Sequence, residues 1–448
     1  MKPQLYILLF CLSWIIPAQA QQKDTTASFS LQEAISFALT HQVDVKNAKI
    51  DEQIASNTVK KTFGIGLPQV SASADFNDFL KVATSLVPAI FFDKDAAPGT
   101  FIPVQFGVKY NSTAGINASQ LLFDGTYLVG LRASKTYKEL STKNSARTRI
   151  ETAVAVTKAY YSVLVSGEQL TLLDANIASL KKSLNDTEAM FKNGFAEKID
   201  ADRLSVLYNN AQTERENVVR MLALNLNLLK FQMGLTVNSN LTLKDKIGEI
   251  NVDQTPVLSD SSAYHKRIEY SILQTQLKLN ELDVKRYKSA FLPSLSAFGS
   301  YSLSFQNDRF ADLYDKNFPT SVIGLKLSIP IISGGQKLYD VRNAKLEVLK
   351  TQNNINNLAN SINLEVSQAQ TNFLNGQKSL QNQKRNMALA QEVLRVTKIK
   401  YEQGVGTNLE VTTAETSLKE AQNNYINALY DMLINKVNLD KALGNINY

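Results

Sequence analysis

Cysteine is almost absent from this sequence of 448 residues, which has a single copy, Cys11. Cys11 lies in a segment with a positive start at Lys2, an apolar stretch over residues 5–16 and an A-x-A cleavage site ending at Ala20, the pattern of an export signal. We therefore predict a signal peptide over residues 1–20 and a mature chain without cysteine. That absence excludes a disulfide framework and thiolate chemistry.

Clusters of charge and long apolar runs are also missing. The chain carries 48 Lys and Arg residues against 41 Asp and Glu, a net charge of +7, and these charges are scattered. A nucleic-acid groove needs a concentrated basic patch, so nucleic acid is not a predicted partner. No stretch of the mature chain is long and apolar enough for a membrane helix, although the strands of an outer-membrane barrel hardly register in hydropathy.

The residue types of an active site or a metal centre are not grouped in the sequence. The two histidines, His41 and His265, lie near predicted helix starts at nearly equivalent positions of a repeat, as surface residues of a duplicated unit would. The segment 64–66 lacks the third glycine and the preceding strand of a phosphate-binding loop. We predict no catalytic, cofactor-binding or metal-binding residues, no cofactor, and hence no enzyme.

What the sequence does contain is an internal repeat. Residues 191–194 return 210 positions later as residues 401–404, and residues 66–68 return 225 positions later as residues 291–293. The first copy is therefore 15 residues longer, between Pro68 and Arg132. Because a repeat constrains the whole fold, we predict a first structural repeat over residues 21–235 and a second over residues 261–448. Residues 236–260 are the predicted connecting segment.

Each copy has the pattern of one helix, two strands, a very long helix and a shorter helix. The predicted helices cover residues 31–62, 126–190, 197–234, 262–290, 335–400 and 407–444. The predicted strands cover residues 70–76, 106–118, 295–305 and 321–331.

The long helices carry apolar residues at a strict spacing of seven. These are Val366, Phe373, Leu380, Met387, Leu394 and Tyr401 in the second copy, and Val156, Val163, Leu170, Ile177, Leu184 and Phe191 in the first. Such a spacing predicts left-handed, coiled-coil-like packing. Outside these rows the long helix of the second copy is rich in Asn and Gln, which fits either an ordinary solvated helix face or the wall of a water-filled channel.

The predicted strands alternate apolar with small polar residues, which is typical of an outer-membrane barrel strand but also of a half-solvated sheet. Four strands cannot close a pore, since bacterial barrels begin at about eight, so we predict a barrel shared between chains. Three chains would give twelve strands. Aromatic residues near the strand ends fit either an interfacial girdle or ordinary strand packing: Phe76, Phe79, Phe106, Tyr110, Phe305 and Phe310. Residues 81–103 and 307–319 are the predicted outer loops.

The turn between the last two helices has the most specific motif. Residues 401–411 contain an aromatic residue, a glycine, and then Leu-Glu followed by an apolar residue, and residues 191–200 match the same pattern more loosely. On this motif the chain from about residue 30 to residue 444 resembles the TolC-like outer-membrane efflux proteins. Residues 122–125 and 330–335 are also similar to the segments that lead from a strand back to a helix in that family.

This resemblance implies an α+β membrane protein. Four strands per chain would contribute to a shared twelve-stranded trimeric β-barrel, continuous with a long α-helical coiled-coil tunnel. The homotrimer would lie in the bacterial outer membrane, project into the periplasm, and act with a periplasmic adaptor (membrane fusion) protein and an inner-membrane pump. It would export small toxic molecules or proteins in a tripartite efflux or type I secretion system.

The resemblance also implies that the two helix–helix turns form an adaptor-docking tip. The residues are Phe191, Asn193, Gly194, Phe195, Ala196, Tyr401, Gln403, Gly404, Val405 and Gly406. A tight reversal after a helix favours a glycine at positive φ, so Gly194 and Gly404 are also simple helix caps. Asp200 and Glu410 open the following helices, where a carboxylate interacts favourably with the helix dipole; gating is the alternative role.

Two other functional classes fit parts of the sequence. A periplasm-spanning structural coiled-coil protein or adhesin without transport would explain the heptads, but not paired strands in every repeat. A secreted enzyme would need the catalytic constellation that the sequence lacks. The export channel is therefore the favoured interpretation, and the sequence identifies neither its cargo nor its particular adaptor and pump.

Overall fold

A computed structural model describes residues 27–249 and 263–448. The predicted signal peptide and part of the predicted connecting segment lie outside these residues. The chain forms two compact units, which we call the helical unit and the sheet unit. The helical unit comprises the described residues of 1–46, 149–259 and 366–448, and the sheet unit those of 47–148 and 260–365.

The α-helices of the described residues follow the predicted order, except that the first predicted helix is divided into two. Their bounds are Leu31–His41 (α1), Val43–Gly64 (α2), Gly125–Lys192 (α3), Lys198–Met233 (α4), Ile268–Ser289 (α5), Gln336–Glu402 (α6) and Asn408–Ala442 (α7). Within the described part of the chain, none of them has both the length and the apolar character that crossing a membrane requires.

The prediction of one continuous helix over residues 31–62 is wrong, because the backbone leaves the helical region at Gln42 (φ −63°, ψ 136°). The Gln42 side chain accepts a hydrogen bond from the Val45 N–H at 3.1 Å and donates one to Asp44 at 2.8 Å. Gln42 thus satisfies a free donor at the start of α2. A Cβ atom on Gly234 would lie 2.8 Å from the His41 carbonyl oxygen, so only glycine fits beside this break.

The first α-helix of the second copy, α5, begins in a way related to the start of α2. The predicted start at residue 262 is too early, because residues 263–266 form a short 3₁₀ turn and α5 begins at Ile268. Arg267, the N-cap, is buried, and its guanidinium contacts Glu269 at 3.0 Å and Glu365 at 3.1 Å. In both copies, therefore, the residue before the helix pairs its side chain with the carboxylate two positions later.

The four predicted strands form one antiparallel sheet in the order β2-β5-β7-β8. Their bounds are Gln69–Asp78 (β2), Tyr110–Phe123 (β5), Ser294–Asn307 (β7) and Phe318–Ser328 (β8). The central pair, β5 with β7, joins the two copies of the repeat, with Ile116 opposite Tyr301. Among the described residues β2 and β8 each pair on one side only, so both edges of the sheet are open.

The register places the apolar residues of all four strands on the same face. Val70, Ala118, Gly299 and Ile323 form one cross-strand row of this face. On the other face the neighbouring row consists of Ser71, Asn117, Ser300 and Val322. Ile323 is 93% exposed, so the sheet carries an apolar surface that the described part of the chain leaves uncovered.

Two further pairs of strands were not predicted. Ala27–Phe29 (β1) pairs in parallel with Leu241–Leu243 (β6), and Thr84–Pro88 (β3) pairs antiparallel with Phe101–Gln105 (β4). Residues 81–103 therefore contain a hairpin, and the prediction that they are a loop is wrong in that part. The predicted connecting segment likewise contributes β6 to the helical unit.

The apolar rows of the long helices form the core of the helical unit. Val156 and Val163 are buried near β1 and β6, together with Tyr160. The Tyr160 hydroxyl donates to the Asp245 carboxylate at 2.8 Å. The pKa of Tyr160 is raised, mainly because the side chain is buried and also because of this hydrogen bond. Full burial of one large apolar side chain contributes about 1.5–3 kcal/mol, so these rows account for much of the packing energy.

Candidate functional site

The two helix–helix turns of the helical unit are built in the same way. In the first turn Gly194 has φ 74°, its N–H donates to the Phe191 carbonyl at 3.0 Å, and the Phe195 N–H donates to the Met190 carbonyl at 2.9 Å. These two bonds, with a left-handed glycine, are the Schellman motif. The Asn193 side chain adds a bond to the Ala189 carbonyl at 2.8 Å. The predicted positive φ of Gly194 is confirmed.

The second turn repeats this geometry. Gly404 has φ 75°, its N–H donates to the Tyr401 carbonyl, and the Val405 N–H donates to the Lys400 carbonyl, both at 3.0 Å. The Gly406 N–H also donates to the Lys400 carbonyl, at 3.1 Å. A Cβ atom on Gly406 would lie 3.1 Å from the Tyr401 nitrogen, so this position is tighter than that of its counterpart, Ala196. The Gln403 N–H continues the helical pattern by donating to the Ile399 carbonyl at 3.0 Å.

The two carboxylates predicted at the helix starts occupy the third residue of α4 and α7. Asp200 accepts a hydrogen bond from the Glu197 N–H at 3.4 Å and lies 3.7 Å from the Arg203 guanidinium. The Glu410 N–H donates to the Thr407 hydroxyl at 3.3 Å. These contacts are those of helix N-termini, and they support the capping interpretation of Asp200 in particular.

The apex of each turn exposes an apolar side chain. Phe195 is 83% exposed and Val405 is 73% exposed, and both immediately follow the left-handed glycine. Phe191 is half-exposed, whereas Tyr401 is partly buried against the core residues Leu394 and Val411. The ten predicted tip residues thus comprise two rigid turns with one prominent apolar residue on each.

A cavity of about 200 Å³ lies behind the turns, inside the helical unit. It is lined by α3, α6, the start of α7 and Leu204 of α4. Asn408, the first residue of α7, lines the cavity and is 3% exposed, and neither its side-chain oxygen nor its nitrogen has a hydrogen-bond partner among the described residues. Sequence reasoning missed Asn408, because an asparagine beside a turn indicates only a helix start.

A buried ion pair lies close to this cavity. The Lys398 ammonium is 2.6 Å from the Glu415 carboxylate and 2.5 Å from the Ser179 hydroxyl. The Glu415 side chain is only 5% exposed. The pair joins α6 to α7, and the serine contact joins both to α3. Sequence reasoning missed it, although a glutamate between the apolar residues Val411 and Leu418 was an available signal.

The other residues singled out from the sequence lie elsewhere. His41 stacks on Phe37 with ring centroids 3.9 Å apart, and His265 contacts Tyr264 and Tyr270. Over residues 27–249 and 263–448 no group of three or more His, Cys, Asp or Glu side chains is arranged to hold a metal ion.

Three of the girdle candidates come together at one end of the sheet. The rings of Phe76, Tyr110 and Phe310 lie 5.6 to 6.2 Å apart between centroids. Phe305 contacts Tyr314 at 5.1 Å. The aromatic cluster therefore combines residues of both copies at the ends of β2 and β5.

Comparison with known proteins places this fold. The model of the outer membrane efflux protein family matches residues 34–235 and 272–445. The probable efflux pump outer membrane protein TtgC of Pseudomonas putida is 24% identical over 75% of this chain and 69% of its own length. The alkaline protease secretion protein AprF of Pseudomonas aeruginosa is 22% identical over 72% of this chain and 67% of its own.

A solved structure of CusC, described as a transmembrane channel, has a TM-score of 0.75 at 18% identity, covering 93% of this chain and 92% of that one. This chain and CusC therefore share one fold over nearly their whole lengths. The chain belongs to the outer membrane efflux protein family and is an outer-membrane channel protein of export systems.

Proposed function

We propose that three copies of this chain assemble into one channel, which acts with a periplasmic adaptor and an inner-membrane pump. The observation that carries the proposal is the four-stranded sheet of the sheet unit. It has two open edges and one exposed apolar face. Among residues 27–249 and 263–448 of one chain, nothing pairs with the two edges or covers the apolar face.

Closure between copies satisfies both open edges. A strand edge presents unpaired N–H and C=O groups that must find partners, and inside a membrane no water is available to them. If β2 of one copy pairs with β8 of the next, three copies form a closed ring of twelve strands. That number falls in the range of bacterial barrels, which begin at about eight.

The two faces of the sheet then have separate roles. The row of Val70, Ala118, Gly299 and Ile323 faces lipid, where apolar side chains are stable. The opposite row of Ser71, Asn117, Ser300 and Val322, polar in three of its four residues, faces a water-filled lumen. This arrangement supports a channel over a non-transporting coiled-coil protein or adhesin, which has no use for an apolar sheet face.

The two helix turns are the proposed docking site for the adaptor. Gly194 and Gly404 hold the turns in fixed geometry, so Phe195 and Val405 are presented without a large loss of conformational freedom on binding. Exposed apolar side chains of this kind mark interaction sites. The flanking residues Phe191, Asn193, Ala196, Tyr401, Gln403 and Gly406 complete the proposed surface.

We further propose that the pump selects the cargo. The name of TtgC describes an efflux pump component and the name of AprF describes protease secretion, so related channels serve both small molecules and proteins. A lumen lined by Ser and Asn side chains is permissive for either class. The partner complex therefore carries the specificity.

The deciding experiment is the detergent-corrected mass of the protein extracted from outer membranes, followed by ion conductance in planar bilayers. We expect a protein mass of three chains and a conductance that increases when the helix turns are truncated. A mass of one chain would leave four strands unable to close, and the channel assembly proposed here would be wrong. A trimer without conductance even after truncation would favour the structural protein.

A further inference from the structure

The first copy exceeds the second in length at the outer connection between β2 and β5, residues 79–109. The corresponding connection of the second copy, residues 308–317, is much shorter. Strands β3 and β4 pair from Thr84 opposite Gln105 to Pro88 opposite Phe101, and they form a two-stranded sheet of their own. We call residues 84–105 the outer hairpin.

The end of the outer hairpin is well defined. The Ala89 N–H donates to the Thr100 carbonyl at 2.8 Å, and a 3₁₀ turn over Ala89–Phe91 follows β3. The Asp95 N–H donates to the Asp93 carboxylate at 3.0 Å. These contacts fix the turn, so the side chains around it have defined positions.

The composition of the outer hairpin is unusual for a surface segment. Residues 82–92 and 96–108 contain no charged side chain, and the charges of the turn are confined to residues 93–95. Five large apolar side chains of the outer hairpin are more than half exposed: Leu86 (69%), Ile90 (61%), Phe91 (77%), Phe92 (64%) and Phe101 (55%). Phe106, which directly follows the hairpin, is 61% exposed.

Both faces of the outer hairpin carry apolar pairs, and its polar residues Thr84, Ser85 and Gln105 lie at the end nearest the sheet. Val87 pairs with Ile102 on one face, and Leu86 pairs with Pro103 on the other. A hairpin on a soluble surface normally has one solvated polar face, and an isolated two-stranded hairpin is marginally stable in water. The exposed apolar side chains of the outer hairpin, such as Leu86, Phe91 and Phe92, therefore need a covering surface that the described residues of one chain do not supply.

Lipid is not that surface, because the hairpin begins beyond the membrane boundary. The aromatic cluster of Phe76, Tyr110 and Phe310 lies at the end of β2 and β5 from which the hairpin departs. Aromatic girdles mark the interface between hydrocarbon and water. The charged residues Asp78 and Lys109 follow, and the Lys109 N–H donates to the Asp308 carboxylate at 3.0 Å. Such groups are unfavourable in hydrocarbon.

We propose that the outer hairpins of the three copies pack against one another across the outer mouth of the channel and narrow it. This inference rests on the trimer of the proposed function. A ring of identical subunits brings the same pair of surfaces into contact three times, and an uncharged surface meets its copy without like-charge repulsion. Phe91 and Phe92 supply the large aromatic groups on which interfaces commonly depend.

The absence of cysteine from the mature chain allows a direct test by disulfide formation. Phe91→Cys places one thiol on the outer hairpin, and oxidation of intact cells should give a disulfide-linked dimer on non-reducing gels. The matched control is Arg309→Cys in the short connection of the second copy, where the native side chain is 79% exposed. We expect this variant to remain monomeric on the same gels.

A second variant tests the narrowing. Phe91→Asp combined with Phe92→Asp places like charges on neighbouring hairpins, so we expect a higher single-channel conductance and faster entry of a large hydrophilic dye into cells. Asp95→Asn, which changes a charge of the same turn without adding like charge to neighbouring hairpins, should change neither. The mass of the extracted complex shows that each variant still assembles.

The outcomes separate this inference from the proposed function. A dimer from Phe91→Cys with none from Arg309→Cys supports the packed hairpins. A complex of three chains whose introduced thiol reacts with a soluble maleimide but forms no dimer overturns them and leaves the trimer intact. A thiol that becomes reactive only after lipid is removed also overturns the packed hairpins, because lipid would then be the covering surface. A mass of one chain refutes the trimer itself.

Discussion

At the scale of single residues, the two turn glycines illustrate how backbone conformation determines residue choice. Gly404 has φ 75° with open space around its Cα, so a side chain there meets no clash and the whole penalty is conformational. Gly406, two positions later, has an ordinary φ but little room for a Cβ atom. The two glycines of one turn are thus required for different physical reasons.

Gly404→Ala should lower the free energy of unfolding by about 1 kcal/mol, since the left-handed region disfavours residues with a Cβ atom by about 1–2 kcal/mol. The matched control is Gly167→Ala within α3, where a Cβ atom also meets nothing within 4 Å and φ is helical. That substitution should stabilise the protein by about 0.5–1 kcal/mol. Urea unfolding of the solubilised protein measures both, and equal effects of the same sign would contradict the turn geometry.

The Lys398–Glu415 pair is the residue-scale feature most sensitive to substitution. Lys398→Met leaves the Glu415 carboxylate buried without its cation, which costs about 3–5 kcal/mol for a buried pair and less here because the Lys398 side chain is 23% exposed. Lys398→Met combined with Glu415→Leu removes both charges and should recover most of the lost stability. The same unfolding measurement on the two single variants and the double variant gives the coupling energy, and additive losses would show that the pair contributes nothing.

At the scale of elements, the β-sheet shows how alternation and register act together. Each strand alone alternates apolar and polar residues, but only the pairing register aligns the apolar sets into one face. A shift of one residue in any strand would move its apolar side chains to the polar face. The open edges of β2 and β8 then make the sheet incomplete as a membrane structure until another copy pairs with it.

Ile323→Lys should strongly reduce the amount of assembled protein in the outer membrane. A lysine on the lipid face of a barrel costs about 2–4 kcal/mol near the membrane centre. Val322→Lys is the matched control, since the neighbouring residue pairs with Ser300 on the opposite face and its lysine would reach water. Quantitative blotting of outer-membrane fractions compares the two, and equal losses would indicate that the two faces do not differ in environment.

At the scale of the whole molecule, the duplication gives two turns of the same geometry with different side chains. Phe195 and Val405 occupy the same place after the left-handed glycine. An adaptor that contacts both turns therefore meets two non-identical surfaces in each chain. In the proposed docking, the matched backbones would let one partner fold contact both turns, and the different side chains would give the two contacts different strengths.

Val405→Glu should abolish export and adaptor binding while the mass of the complex and its level in the outer membrane stay unchanged. The physical reason is that a carboxylate at an apolar contact must be desolvated without a partner. Gln381→Glu adds the same charge to the exposed side of α6, about 30 Å away along the helix, and should leave export intact. Cargo accumulation and co-purification with the adaptor are the two measurements, and unchanged export by Val405→Glu would mean that the adaptor docks elsewhere.

Much of this molecule follows from local sequence signals. The spacing of seven in the long helices, the alternation of the four strands and the glycines of the two turns are properties of neighbouring residues. They depend on helical and strand periodicity and on the freedom of glycine at positive φ. The repeat then supports each assignment twice, so the sequence alone determined the long helices, the four strands of the main sheet and the place of both turns, but neither the break between α1 and α2 nor the short strands β1, β3, β4 and β6.

Tertiary structure decided the features that depend on residues far apart in the chain. Lys398 meets Ser179 across 219 positions, and β5 of one copy pairs with β7 of the other. The break at Gln42 depends on the close approach of Gly234, and the unpartnered amide of Asn408 depends on the helices around it. No local propensity encodes such contacts, because they exist only once packing has brought distant segments within a few ångströms.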